Sequence, residues 1–471
     1  MKINLLVKNI SYSFGANLIS LSTSVLMVVF VPKFLPVEDY GMWQLFLFYF
    51  SYLGFLHFGW EDGIYLRYAG KNFDELVPKV FAGQFYGIIT LQIVLTIILI
   101  LFSPLFIEES VKRYVFACAI SLATFVNFNN CCNFIMQITN RIKEYAKFVL
   151  IDRVVLVTFI LLALLTGHNF FESLYLAKLF AVICVSFMGI KLCKRLLVIK
   201  FESFNDILLE AYRNISVGIK LMFANIAGML LIGIVRYGIS IGWDIATFGK
   251  ISLTLNISNF ILVFITSLSV VFFPLLKRMK EDRLSELYKE IRNCLSILLL
   301  SMLVLYYPLK AIASWWLPQY ADSLIYMAIL FPICLFESKM SLLINTYLKS
   351  MRKESLLLKI NMVSIVLAAV ATIITVYFLH DLRWTVFSIV FLYAFRCEFA
   401  ELYMERLLSI NIKRDILQEL LIVLVFIVSA ITIDTWWCVI IYLAVLLTYV
   451  CVNKDKLFVT VQHLVNRNLM D

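Results

Sequence analysis

Charge is scarce in this chain. Asp, Glu, Lys and Arg make up 15% of its 471 residues, whereas apolar residues reach 62%, against roughly 25% and 45–50% in an average soluble domain. A soluble fold of this length cannot bury so much apolar surface, and lipid is the solvent that accepts it. Histidine is equally sparse: His57, His168, His380 and His463 are too scattered for a metal centre. No HExxH or P-loop is present, which removes the metalloprotease and ATPase classes. The ten cysteines lack metal-ligand spacing, and the adjacent Cys131 and Cys132 form no CxxC pair. They read as small buried apolar side chains.

About fourteen apolar stretches fill the chain, at 10–31, 42–58, 82–106, 115–138, 148–166, 173–190, 215–235, 250–273, 293–312, 322–345, 356–378, 384–402, 416–433 and 435–451. A bilayer core requires roughly 20 residues per helix. The first stretch is too long for a signal-peptide core and lacks a small-residue cleavage site, so it reads as an uncleaved helix. Lys and Arg crowd into every second turn: 28 lie on one side of the alternation and five on the other. The positive-inside rule then places both termini in the cytoplasm. The formal charge of +10 is accordingly a topology signal and an attraction to anionic phospholipids, with no nucleic-acid partner implied.

The expected fold is an all-α polytopic membrane protein of about 14 transmembrane helices, with two pseudo-symmetric six-helix bundles and a C-terminal helix pair. Residues 1–192 form the first bundle, 193–214 a basic cytoplasmic linker, 215–402 the second bundle, 403–451 the terminal pair and 452–471 a cytoplasmic tail. Paired bundles of this kind are the usual organisation of secondary transporters. The outward turns are all short, which leaves no room for the external loop that a glycan polymerase or transferase would need.

The polar residues of interest lie inside the apolar stretches. Asn127, Asn130, Asn133, Gln137 and Asn140 recur at three- and four-residue spacing, with Asn129 beside them, and so share one helix face. Amides facing hydrocarbon are costly, so this face either bonds a neighbouring helix or lines a wet cavity. Asn256 and Asn259 form a shorter version. Lys220, Arg236 and Lys250 surround the seventh and eighth stretches, where cations in a cavity would favour a phosphate or pyrophosphate cargo. Arg396 is far enough from its helix end to require an interior partner, whereas Lys178, Lys310 and Lys359 are placed to snorkel towards headgroups. Glu337, Lys339, Glu398 and Glu401 are further charges within apolar segments. Glu61, Asp62 and Arg67, in Trp60-Glu61-Asp62-Gly63-Ile64-Tyr65-Leu66-Arg67-Tyr68, fit a gate, an ion-coupling site or a capped turn with aromatic anchors. Pro332 removes a backbone hydrogen bond within its stretch and makes a kink or hinge there. With no ATPase and no cofactor motif, transport would be passive, driven by H+, Na+ or the membrane potential, or energised by a partner.

Several segments together resemble the bacterial polysaccharide-export flippases of the multidrug/oligosaccharidyl-lipid/polysaccharide superfamily. They are Asn9-Ile10-Ser11-Tyr12-Ser13-Phe14-Gly15-Ala16-Asn17, Pro32-Lys33-Phe34-Leu35-Pro36-Val37-Glu38-Asp39-Tyr40-Gly41, the Trp60–Tyr68 segment, the eighth stretch ending at Pro274, and Leu317-Pro318-Gln319-Tyr320-Ala321-Asp322. The resemblance implies two bundles alternating access to a central cavity in the bacterial inner membrane. It also implies an undecaprenyl-pyrophosphate-linked glycan as cargo, of the O-antigen or capsule type, with glycosyltransferases and a glycan polymerase as partners. Arg236 fits a basic position frequent in the family. The cations that related flippases carry in the first two helices have no counterpart here. A drug or metabolite exporter of the same fold is the nearest alternative.

Overall fold

Among the residues described in this computed structural model (22–167, 170–197, 203–259, 262, 281–351, 353–433 and 435–454), every apolar stretch meets a helix and no strand occurs. The helices are α1 Ser22–Phe34, α2 Val37–Tyr52, α3 Trp60–Tyr68, α4 Pro78–Leu105, α5 Ser110–Ile138, α6 Ile142–Leu165, α7 Phe171–Leu196, α8 Phe204–Gly242 and α9 Ile245–Ser258. They continue as α10 Leu284–Trp316, α11 Pro318–Leu330, α12 Ile333–Ser350, α13 Ser355–Phe378, α14 Leu382–Leu408, α15 Lys413–Thr432 and α16 Trp437–Val452. The start of the first apolar stretch, the segment around Pro274 with its basic turn, and the tail after residue 454 lie outside the described residues.

Local chemistry sets several of these boundaries. Pro78 opens α4, where its missing N–H has no partner to lose. The Asp381 carboxylate accepts from the Arg383 and Trp384 amides and caps α14. Ser409, at φ 52°, closes the same helix by donating its N–H to the Glu405 carbonyl. Pro332 separates α11 from α12, whose axes differ by 45° across the break, as a residue without an amide hydrogen requires. A wider π-helical turn follows over Lys339–Ile344.

Eight of the described helices are long and apolar enough to cross a bilayer, or nine when α11 and α12 count as one broken span. The protein is a multi-pass membrane protein. In the most apolar windows of α4 and α6 only 17% of the residues are buried, whereas in α5 67% are. The exposed side chains on α4 and α6 include Leu101, Phe102, Leu105, Leu162 and Leu165, a surface for lipid rather than water.

The chain divides into two compact units. One comprises Met1–Ile226 with Asp244–Gly249, and the other Ala227–Trp243 with Lys250–Asp471. In the first unit, the second half of α5 is enclosed by α3, α4, α6 and α7, and its core includes Phe85, Phe128, Cys131, Cys132, Ile135 and Met136. In the second unit, α14 takes the central place, packed by α11, α12 and α13. Residues 204–214, read from sequence as linker, form the opening turns of α8.

Candidate functional site

In the first unit, the polar groups gather around α3. Phe58 and Gly59 both have positive φ, 52° and 83°, and this turn brings His57 over the start of α3. The Gly59 amide donates to His57 Nδ1 at 2.9 Å, which makes Nδ1 the acceptor and leaves Nε2 to carry the ring proton. Nε2 faces Asp62 at 3.7 Å and Glu61 at 3.9 Å. Both distances exceed a hydrogen bond. Glu61 is fully buried, and neither of its carboxylate oxygens has a hydrogen-bond partner among the described residues.

One and two turns further along α3, the arrangement is the reverse. Arg67 Nη1 donates to Glu210 Oε1 at 2.7 Å and to Asn214 Oδ1 at 2.5 Å, and the Tyr68 hydroxyl donates to the same Glu210 oxygen at 2.7 Å. Gln84 Oε1 of α4 accepts from Trp60 Nε1 at 2.7 Å and from Asn214 Nδ2 at 3.1 Å. Beside this network, the backbones of α3 and α8 touch. A Cβ on Gly63 would lie 2.0 Å from the Asn214 carbonyl oxygen, and one on Gly218 would lie 2.0 Å from that of Gly59. Only glycine permits the approach. Gly228, further along α8, has open space around it.

The amide face of α5 divides by role. Asn127 donates to the Leu53 and Ala123 carbonyls at 3.0 and 2.9 Å, and Asn129 donates to Val182 at 3.1 Å while accepting from Ser186. Those two join helices. Asn130, Asn133 and Gln137 are half-buried, and Asn133 Oδ1 has no hydrogen-bond partner among the described residues. Asn140 takes the left-handed conformation that ends the helix, at φ 56°. Lys178 does not snorkel: it is buried and bonded to Asp152 at 3.2 Å, with its ammonium 4.9 Å from the Phe50 ring centre. The acid on α6 supplies a nearer partner than any headgroup. Lys220 is exposed on α8.

In the second unit, Arg236 donates to Ser252 at 3.0 Å, joining α8 to α9. Lys250, Asn256 and Asn259 are half-buried on or beside α9. Arg396 has the interior partners its position requires, with Nε on Asn361 Oδ1 at 3.0 Å and Nη1 on Glu337 Oε2 at 3.1 Å. A cluster that sequence reasoning left unassembled lies nearby. Arg292 of α10 holds Glu401 through Nε and Nη2 and pairs with Glu419 at 3.0 Å. Lys339 of α12 reaches Glu419 at 2.7 Å, Glu401 at 3.0 Å and Glu398 at 3.5 Å. Sequence reasoning listed Lys339, Glu398 and Glu401 one by one, took Arg292 for a topology charge and passed over Glu419. The available signal was that Glu419 is the one acid inside its apolar stretch.

The chain superposes over almost its whole length on lipid II flippase MurJ in an inward closed conformation, with a TM-score of 0.64 and 14% identity, covering 96% of this chain and 99% of that one. It also matches an inward-facing MATE-family multidrug transporter of the MOP superfamily (TM-score 0.58, 12% identity, 83% of this chain and 94% of that one). The fold is shared with these transporters. A MATE protein in complex with MaD5 gives a TM-score of 0.53 at 14% identity over 85% of this chain and 96% of that one. No protein-family model and no curated protein sequence matches the chain. Within this shared fold, the residues nominated from sequence thus fall into a network on α3, a divided amide face on α5 and a partnered set in the second unit.

Proposed function

We propose that this protein translocates an undecaprenyl-pyrophosphate-linked oligosaccharide from the cytoplasmic to the outer leaflet of a bacterial inner membrane by alternating access. The observation that carries this reading is the length of the structural match. A lipid-precursor flippase accounts for 96% of the chain, whereas the MATE transporters account for 83–85%. The basic turns face the cytoplasm in this reading, as do both termini. The six-helix halves, 1–192 and 215–402, move against each other, and 403–451 is an added pair.

Arg67, Glu210, Asn214 and the glycine contact form the cytoplasmic gate, which must part for the cargo to enter. Glu61 and Asp62, facing His57, are the coupling acids, and the driving force is H+, Na+ or the membrane potential. Arg236 and Lys250 meet the cargo phosphates, with Lys220 and the half-buried amides Asn130, Asn133, Gln137, Asn256 and Asn259 lining the path of the sugar. Pro332 is the hinge. Glycosyltransferases supply the cargo and a glycan polymerase consumes it.

Reconstitution into vesicles with a lipid-linked oligosaccharide, followed by a leaflet-access assay, tests the reading. Transfer that depends on the protein, and falls in Arg236→Gln and Lys250→Gln variants that still fold, is the expected result. No transfer by folded protein, together with export of small cationic drugs, would replace it with the multidrug reading.

A further inference from the structure

The cluster in the second unit contains an odd number of charges. Two cations, Arg292 and Lys339, face three carboxylates, Glu398, Glu401 and Glu419. Four of the members are at most 1% exposed, and a net charge enclosed in this way is expensive to maintain. Something must balance it.

A metal ion is not the simplest answer. The three carboxylates converge within 4.8 Å of one another, yet the Lys339 ammonium already touches all three. It occupies the place a metal would take. The geometry also indicates which acid is in excess. Each oxygen of Glu401 and Glu419 has a nitrogen of Arg292 or Lys339 within about 3 Å. Among the described residues, Glu398 has only the 3.5 Å approach to Lys339, and neither of its oxygens makes a hydrogen bond. It is also the member with measurable exposure, 8%.

Two further observations centre on the same place. Lys339 begins the π-helical turn of α12, and such turns are frequent at functional sites. The fully buried hydroxyl of Tyr288, on α10 within electrostatic reach of Glu401, has no hydrogen-bond partner among the described residues. The other groups facing the cluster are Cys397 on α14 and, beside Glu419, Tyr449 on α16.

We propose that Glu398 is a proton-binding site, whose bound proton makes the five-member cluster neutral. On release, the O–H bond breaks, the proton passes to water and the new carboxylate competes with Glu401 and Glu419 for the Lys339 ammonium. Because Glu419 lies on α15 and Lys339 on α12, the protonation state of Glu398 sets how tightly α15 is held. The site is separate from Glu61, Asp62 and His57, and it stands whether or not the cargo is a lipid-linked glycan.

Infrared difference spectroscopy on the full-length protein in nanodiscs tests this, in a Glu61→Gln background so that the other buried glutamate with both oxygens lacking a hydrogen bond among the described residues does not contribute. The expected result is one carboxylic-acid carbonyl band per chain at neutral pH that disappears on alkaline titration and is missing from Glu398→Gln, the neutral isostere. The titration without the second substitution is decisive by itself if that variant fails to fold: no such band at neutral pH overturns the proposal. So does a band that persists in folded Glu398→Gln. Loss of the band on adding sodium at constant pH would make the site a cation site instead and overturn it equally.

Discussion

Glu61, at the start of α3, and Glu401, on α14, are both fully buried glutamates, yet their surroundings differ in kind. Glu401 has cations against both oxygens, whereas Glu61 has a histidine at 3.9 Å and no hydrogen bond among the described residues. A low-dielectric interior admits a carboxylate in one of two ways: by saturating it with donors, or by leaving it able to take up a proton. The first unit keeps an acid of the second kind beside a backbone contact made only of glycine and a helix carbonyl. The second unit uses saturated acids to tie α10, α12, α14 and α15 together. One region is arranged to change state and the other to hold, with Glu398 at its margin.

The largest test of that contrast is to remove the common partner in the second unit. Lys339→Met leaves three carboxylates facing each other with Arg292 alone, and a loss of about 3–5 kcal/mol is expected from breaking a buried pair. Thermal unfolding in detergent measures it, and a midpoint equal to wild type would mean that charge does not hold this unit. Arg67→Ala comes next. It strips the charged donor from Glu210 and Asn214, with an expected loss of roughly 1.5–3 kcal/mol and faster thiol labelling of a cysteine introduced at Ser216. Unchanged labelling would argue that Arg67 fastens nothing. Gly218→Ala sets a methyl group against the Gly59 carbonyl and should cost about 1–3 kcal/mol by overpacking; an equally stable variant would show that α3 and α8 separate freely. The smallest effect on stability is expected for Glu61→Gln, under about 1 kcal/mol, since no bond is lost. The pH dependence of transport should nevertheless vanish, and a variant that retains it would move coupling away from α3.

The fold was legible because lipid imposes length and composition on each helix separately, so apolar stretches located the helices without knowledge of their neighbours. The break at Pro332 was legible for the same reason, as it follows from one missing amide hydrogen. The site was legible only where a residue's need for a partner was stronger than its position: Arg396, deep in α14, had to find one. Lys178 was misread because the headgroup is a generic partner, and the Asp152 that displaces it comes from another helix. The α5 amides share an angular face, yet Asn127 and Asn129 meet backbone carbonyls while Asn133 does not. Spacing gives direction along one helix and is silent about what stands opposite. Arg292 looked like a solvated topology charge because it lies just before the apolar stretch 293–312, although α10 begins two turns earlier and the residue is 1% exposed.

The order in which the five-member cluster comes together bears on how the chain is made. When synthesis has passed α14 but not α15, the nascent chain contains Arg292, Lys339, Glu398 and Glu401, two charges of each sign. The last member arrives on α15, a helix whose Glu419 is costly to deliver into hydrocarbon as an anion. The helix that completes the unit is thus the one whose carboxylate tips the cluster from balanced to net negative, so the need for a bound proton begins only when α15 joins.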